Sequence, residues 1–287
     1  MIKESFSALG ASTRDLFRNW PGLLLVAAVY GLLLASVHYF FATGVANAWQ
    51  LTVTAVTAGA APLLFFLFQA AAVNAALPEA TAGRIARRAP RDLWKVLLLA
   101  VPVACAAVLF VYLLGKLEGW LPKAAATAHQ SGVVSVSGAK PTPLRWQEAL
   151  LSTSWLALLG LVLPLAAAHL WLSAARVGLA ATLKGFHRVV GRAFAPRSVF
   201  VYSVGLDLFG LMPYFVLFTR TSFTTGWSEL ALFGLRLALA LFLTLVGWLV
   251  TLGALARVTP PETGRTPAAV EPVPAEPAPA AEPQLQG

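Results

Sequence analysis

Two charged residues stand out because each lies inside a long apolar run. Asp207 lies among the apolar residues 205–209 of the fifth apolar run, and Arg236 lies among residues 233–237, about two helical turns into the sixth. A charged side chain in the middle of a bilayer costs on the order of a few kcal/mol, so it usually faces other protein groups and marks a functional site. Asp207 and Arg236 are therefore candidates for an intramembrane polar pair on adjacent helices, which would form a gate or a substrate site. In the alternative interpretation, Arg236 extends to the membrane surface and Asp207 is neutral or hydrogen-bonded to a neighbouring helix.

Basic residues form two clusters, one in residues 84–95 and one in residues 176–197. Near an anionic membrane surface, each Lys or Arg contributes about 1 kcal/mol of attraction. The clusters therefore predict contacts with anionic lipid headgroups. The candidate residues are Arg84, Arg87, Arg88, Arg91, Lys184, Arg188, Arg192 and Arg197. Topology alone would also explain these clusters, because cytoplasmic segments of membrane proteins are enriched in Lys and Arg.

Other side chains that could carry chemistry are few. The single cysteine, Cys105, excludes an internal disulfide and a zinc site built from several cysteines. The four histidines show no His-x-x-x-His spacing, which would place two ligands on one face of a helix. Motifs of intramembrane hydrolases are also missing from the sequence. We therefore predict no metal, no cofactor and no enzymatic activity.

The composition indicates a membrane protein. Hydrophobic residues make up 58% of the chain and charged residues 11%, whereas ordinary globular domains carry roughly a quarter charged residues. A soluble fold with so few charges could not cover its core. The net charge of +9 could suggest nucleic acid as a partner. Because the basic residues are confined to short segments between apolar runs, we instead expect the partner to be the lipid bilayer.

The apolar runs predict the fold class. A transmembrane helix needs about 20 mostly apolar residues. Six segments meet this requirement, at residues 22–42, 52–76, 94–115, 150–172, 198–219 and 230–256. The sequence therefore predicts an all-α fold, a polytopic membrane protein with six transmembrane helices in one bundle.

Charge placement predicts the orientation. If the N-terminus lies inside, the inner segments hold fifteen Lys and Arg residues and the outer loops hold five. This bias places both termini in the cytoplasm. Arginine outnumbers lysine and alanine is abundant, which is typical of GC-rich bacteria, so we expect a multi-pass protein of the bacterial inner membrane.

Three regions follow from this pattern. Residues 1–20 are predicted to form an interfacial amphipathic helix, and residues 21–257 the six-helix membrane domain. Residues 258–287 are rich in Pro, Ala and Glu and are predicted to be a disordered tail. The segment Ala89-Pro90-Arg91 recurs as Ala195-Pro196-Arg197, and each copy is predicted to close a basic linker and open a span. This echo suggests a repeat of two helix pairs, although short basic linkers also converge easily.

The segment Phe17-Arg18-Asn19-Trp20-Pro21 leads into a leucine run, and basic amphipathic linkers precede later spans. In these features, residues 1–256 resemble the YciC-like bacterial membrane proteins and the membrane domain attached to some glycerophosphodiester phosphodiesterases. The resemblance implies a six-helix bundle. It does not imply phosphodiesterase activity, because the sequence contains no catalytic domain of that kind. We expect a non-enzymatic accessory or lipid-organising bundle; the alternative is a small transporter or channel-like protein that uses Asp207 and Arg236.

Overall fold

The computed structural model describes residues 2–78, 80–120, 146–219 and 226–259. These residues form nine helices, and none of them lies in a β-strand. The uninterrupted helices are α1 (Ile2–Arg18), α2 (Trp20–Ala42), α3 (Ala48–Ala75), α4 (Ala82–Trp120), α6 (Leu179–Lys184), α7 (Phe186–Ala193) and α9 (Gly226–Val258). The other two contain a π-helical turn: α5 is Trp146–Leu156, Ala157–Val162 and Leu163–Val177, and α8 is Pro196–Leu206, Asp207–Leu211 and Met212–Phe218.

Six helices are long and apolar enough to cross a membrane, which confirms the predicted class of polytopic all-α protein. They are Trp20–Ala42, Ala48–Ala75, Ala82–Glu118, Ala149–Val177, Pro196–Phe218 and Gly226–Val258. The cytoplasmic location of the termini stays a prediction. The predicted disordered tail lies, apart from residues 258 and 259, outside the described residues.

One end of the bundle, which we call the basic end, gathers the C-terminal ends of α1, α3, α5 and α9 and the starts of α2, α4 and α8. Most of the protein core lies in the half next to this end. Buried residues are concentrated in segments 68–74, 165–174 and 245–256. Segments 48–67 and 101–118 run toward the opposite end, and neither contains a buried residue.

Helix α4 begins at Ala82 rather than at residue 94, so the predicted basic linker is helical. It continues through Pro90, although a proline inside a helix removes one backbone hydrogen bond. Residues buried on one face recur at a spacing of three and four, which is the pattern of a helix packed on a core. These residues are Ile85, Ala89, Asp92, Val96 and Leu99. Packing of this face holds the helix together across the proline.

The two Ala-Pro-Arg segments therefore have different structures. Pro196 lies at the first position of α8, after a break that follows α7, and there a proline costs no hydrogen bond. Pro90 lies in the interior of α4. The sequence echo does not correspond to a repeated turn into the membrane.

Helix α1 packs against α9 through a face of small residues. The Ser12 hydroxyl donates a hydrogen bond of 2.9 Å to the Val250 carbonyl. A Cβ atom at Gly253 would overlap the Ser12 side chain, so glycine is needed for this close approach. The large side chains of Ile2, Phe6 and Phe17 are at least half exposed. This arrangement leaves an apolar face available to lipid, as in an amphipathic helix at a membrane surface.

Candidate functional site

A cavity of about 1160 Å³ opens at the basic end, between α1, α2, α4, α5 and α9. We call it the basic cavity. The charged residues in its lining are Asp15, Arg18, Arg84, Arg88, Arg176 and Arg257. The lining thus carries five guanidinium groups and one carboxylate, a formal net charge of +4.

The lining also has an apolar part. It includes the leucines Leu16, Leu23, Leu77 and Leu249, together with several alanines. The cavity therefore offers cationic groups and hydrocarbon surface to the same ligand, a combination suited to an amphiphile.

Asn19 ties the start of α2 to the connection between α3 and α4. Its side-chain oxygen accepts a hydrogen bond of 3.3 Å from the Gly22 amide and so caps α2. Its side-chain nitrogen donates a bond of 2.9 Å to the Ala80 carbonyl. The connection is thereby fixed as one wall of the cavity.

Arg176 joins the end of α5 to the end of α9. Its guanidinium donates to the Thr259 carbonyl at 2.6 Å and to the Ala256 carbonyl. The last carbonyls of a helix lack partners within the helix, and a cation there is also favoured by the helix dipole. Arg176 therefore holds the two helix ends at a fixed separation while presenting positive charge to the cavity.

Asp15 partly neutralises the positive charge of the cavity wall formed by α1 and the end of α9. It forms ion pairs with Arg257 and with Arg18, the latter at 3.4 Å. The side chains involved are between 41% and 80% exposed, and ion pairs exposed to this degree contribute about 0–1 kcal/mol. An anionic ligand can therefore draw these arginines away from Asp15 at little cost.

Arg88 lies on the α4 wall and is exposed. It forms no hydrogen bond or ion pair with any residue that the structure describes. It therefore offers a guanidinium with unused donors to a ligand in the cavity.

A buried polar cluster fixes α4 against α3. Asp92 accepts a hydrogen bond of 3.0 Å from the Asn74 side chain and pairs with Lys95 at 2.6 Å. Asn74 also donates to the Ala70 carbonyl at 2.9 Å. Asp92 is only 8% exposed, and it lies one helical turn from Arg88. The cluster therefore positions the α4 wall of the cavity.

The sequence-predicted lipid contacts divide into two groups in the structure. Arg84 and Arg88 line the cavity. The others are exposed outside it: Arg87 and Arg91 on α4, and Lys184, Arg188, Arg192 and Arg197 on α6, α7 and the start of α8. Arg197 forms an ion pair of 3.0 Å with Glu4 of α1. Of the second basic segment, residues 176–197, only Arg176 lines the cavity with Arg84 and Arg88, so the predicted contacts Lys184, Arg188, Arg192 and Arg197 do not join them in one site.

Sequence reasoning missed Arg18, Arg176, Arg257 and Asn19 as members of the site. They come from three separate segments, with Arg18 and Asn19 adjacent in the chain, and only the fold brings these segments together. A signal was nevertheless present, because each of these arginines lies within two residues of a helix end on the side predicted to be cytoplasmic. Asp92 was also missed, since residues 84–95 were interpreted as a linker.

The structure does not bring Asp207 and Arg236 together. Gly205 packs against Thr251 of α9, where a Cβ atom would overlap the threonine. Two residues further along, Asp207 points away from α9, since two residues of a helix span about 200°. Arg236, on α9, instead donates a hydrogen bond of 2.5 Å to the carbonyl of Thr219 at the end of α8. This bond satisfies a carbonyl at the end of α8. The extension of Arg236 to the membrane surface stays a prediction.

Comparison of the chain with protein-family models, curated proteins and solved structures gives no match. The resemblance to YciC-like membrane proteins stays a prediction.

Proposed function

We propose that this chain is a non-enzymatic protein of the bacterial inner membrane that binds the anionic headgroup of a lipid in the basic cavity, as an accessory or lipid-organising bundle. One observation carries the proposal. Five arginines and one carboxylate line a single cavity where helix ends meet. Cations gathered in a cleft repel one another and raise the local concentration of anions.

The chemistry of the lining favours a phosphate-bearing lipid. A guanidinium presents a planar fork of donors that matches phosphate oxygens, often through two parallel hydrogen bonds. The leucines of the lining provide a surface for the glycerol and the first methylenes of the acyl chains. A soluble phosphate would leave this apolar surface unused.

The location also supports a lipid. The cavity lies at the first turn of α2 and the last turn of α9, which is the level expected for headgroups. Trp20, at the start of α2, is 61% exposed. Exposed tryptophan is typical of the interface between headgroups and hydrocarbon.

The transporter alternative has less support. It required Asp207 and Arg236 in one site, and their side chains face different surroundings. The lipid-binding proposal uses neither residue.

The proposal is tested by lipid binding to the purified full chain. Arg88→Gln removes a cavity cation, and Arg87→Gln, its exposed neighbour outside the cavity, is the matched control. We expect Arg88→Gln to weaken binding of phosphatidylglycerol about fivefold, because each cation contributes about 1 kcal/mol. Arg87→Gln should have little effect. Native mass spectrometry of lipid-bound protein at increasing lipid concentration gives both affinities.

Two further arms identify the source of the anion. Phosphatidylcholine should bind more weakly than phosphatidylglycerol, and inorganic phosphate at millimolar concentration should not displace the lipid. Equal affinity for the two lipids, or equal effects of the two substitutions, would contradict a specific anionic-lipid site. Displacement of the lipid by phosphate would instead indicate a soluble ligand.

A further inference from the structure

A polar stripe follows the surface of α8 that faces away from the protein. Ser203, Asp207 and Tyr214 are all exposed. The opposite side of α8 is the packed one, because the Phe209 ring contacts the Trp248 ring of α9 at a centroid distance of 5.2 Å. In a membrane, the stripe therefore faces hydrocarbon unless another protein surface covers it.

The depth of Asp207 makes this exposure costly. The residue is eleven positions from each end of the α8 span Pro196–Phe218, which is about 16 Å at about 1.5 Å per residue. A lysine or arginine can extend its long side chain toward the headgroups, but an aspartate has a single methylene. Asp207 forms no hydrogen bond or ion pair with any described residue. A carboxyl group without a partner in hydrocarbon is strongly unfavourable.

The helix is also irregular at this place, as it is in α5 at Ala157–Val162. The π-helical turn Asp207–Leu211 begins at this aspartate. Such turns are rare and occur frequently at functional sites.

We propose that this stripe is the interface of a homodimer within the membrane, in which the two Asp207 carboxyl groups hydrogen-bond to each other. All copies of the chain insert in the same orientation. A twofold axis along the membrane normal therefore places each residue beside its counterpart at the same depth.

The groups in the stripe are complementary to themselves. A hydroxyl group and a neutral carboxyl group each carry a donor and an acceptor, so two identical groups can satisfy one another. Hydrocarbon favours the neutral form of a carboxyl group. A stripe containing lysine or arginine could not pair with its own copy in this way, because those side chains only donate.

The dimer interface is separate from the basic cavity. No residue of α8 belongs to the described cavity lining. Dimer formation and lipid binding can therefore be tested independently, and failure of one leaves the other standing.

Crosslinking of the full chain in lipid vesicles tests the interface. Cys105 is the only cysteine, so Cys105→Ser gives a background without thiols. Ser203→Cys and Tyr214→Cys each place a thiol in the stripe. Val108→Cys, which places a thiol at an exposed position of α4, is the matched control. With a short thiol-to-thiol crosslinker, we expect dimers from positions 203 and 214 and few from position 108. Equal yields at all three positions would overturn the proposal, because they would report random collision.

Substitution of Asp207 tests the hydrogen bond itself. Asp207→Asn keeps a donor and an acceptor, whereas Asp207→Leu removes both. The readout is energy transfer between labelled copies as protein is diluted with lipid. Interhelical hydrogen bonds in model membrane peptides contribute about 1–2 kcal/mol, so Asp207→Leu should weaken dimerisation about tenfold, and Asp207→Asn should retain it. Equal dimerisation of the two variants would overturn the hydrogen bond between the Asp207 side chains. A wild-type chain that stays monomeric would overturn the homodimer itself.

Discussion

The two halves of the bundle differ in how their helices are held. Next to the basic end, α1, α3, α4, α5, α8 and α9 share one core, and several polar side chains are buried with partners. Toward the opposite end, most side chains of the same helices are exposed, and the described residues buried there are few. The comparison shows that fixed geometry is concentrated at the basic end, which is also where the cavity lies.

The two aspartates Asp92 and Asp207 show the same contrast on a smaller scale. Asp92 is 8% exposed and accepts hydrogen bonds from Asn74 and Lys95. Asp207 is exposed and has no partner among the described residues. Asp92 is therefore stabilised by groups of its own chain, whereas Asp207 can be stabilised only by a partner outside the part of the chain that the structure describes.

The largest expected effect is at Asp92. Asp92→Leu should lower the free energy of unfolding by about 2–3 kcal/mol, because it leaves Asn74 and Lys95 without their buried acceptor. Asp207→Leu is the matched control and should cost nothing in dilute detergent, where no second copy is bound. Unfolding in detergent followed by circular dichroism measures both. A greater loss from Asp207→Leu would mean that Asp207 has a partner within its own chain.

A smaller effect is expected where backbones approach closely. A Cβ atom at Gly247 would lie 2.9 Å from the Phe209 backbone nitrogen, whereas one at Gly234 would meet nothing within 4 Å. Gly247→Ala should cost about 1–3 kcal/mol, because α8 or α9 must shift. Gly234→Ala should be neutral or stabilise by up to about 1 kcal/mol, because alanine favours helix. Thermal unfolding midpoints would check the difference. Equal loss in both variants would indicate that the halves are packed alike.

The sequence was sufficient for the number of spans, because hydropathy depends on local composition. It did not predict the start of α4. In residues 84–95, one proline and four arginines interrupt the apolar pattern, so the helical spacing of Ile85, Ala89 and Asp92 is not apparent from hydropathy. The burial of these three residues depends on contacts with distant segments. The same limit applies to the site. Arg84 and Arg88 belong to a visible cluster, but Arg18, Arg176 and Arg257 join them only through folding. Likewise, hydropathy located Asp207 within a span but could not show which face of α8 carries it.

The smallest effects should come from two serines that make similar bonds in the two halves. Ser12 donates to the Val250 carbonyl at 2.9 Å near the basic end, and Ser36 donates to the Thr57 carbonyl at 3.3 Å toward the opposite end. In both cases the carbonyl belongs to a helix, so removing the hydroxyl leaves no acceptor wholly without a partner. Hydrogen bonds between membrane helices average about 0.6 kcal/mol, and the shorter bond in the packed half should be the stronger. We expect Ser12→Ala to cost about 1 kcal/mol and Ser36→Ala less than about 0.5 kcal/mol. Unfolding of both variants in one detergent measures the pair, and a greater cost at Ser36 would mean that the opposite half contributes more to stability than its exposure indicates.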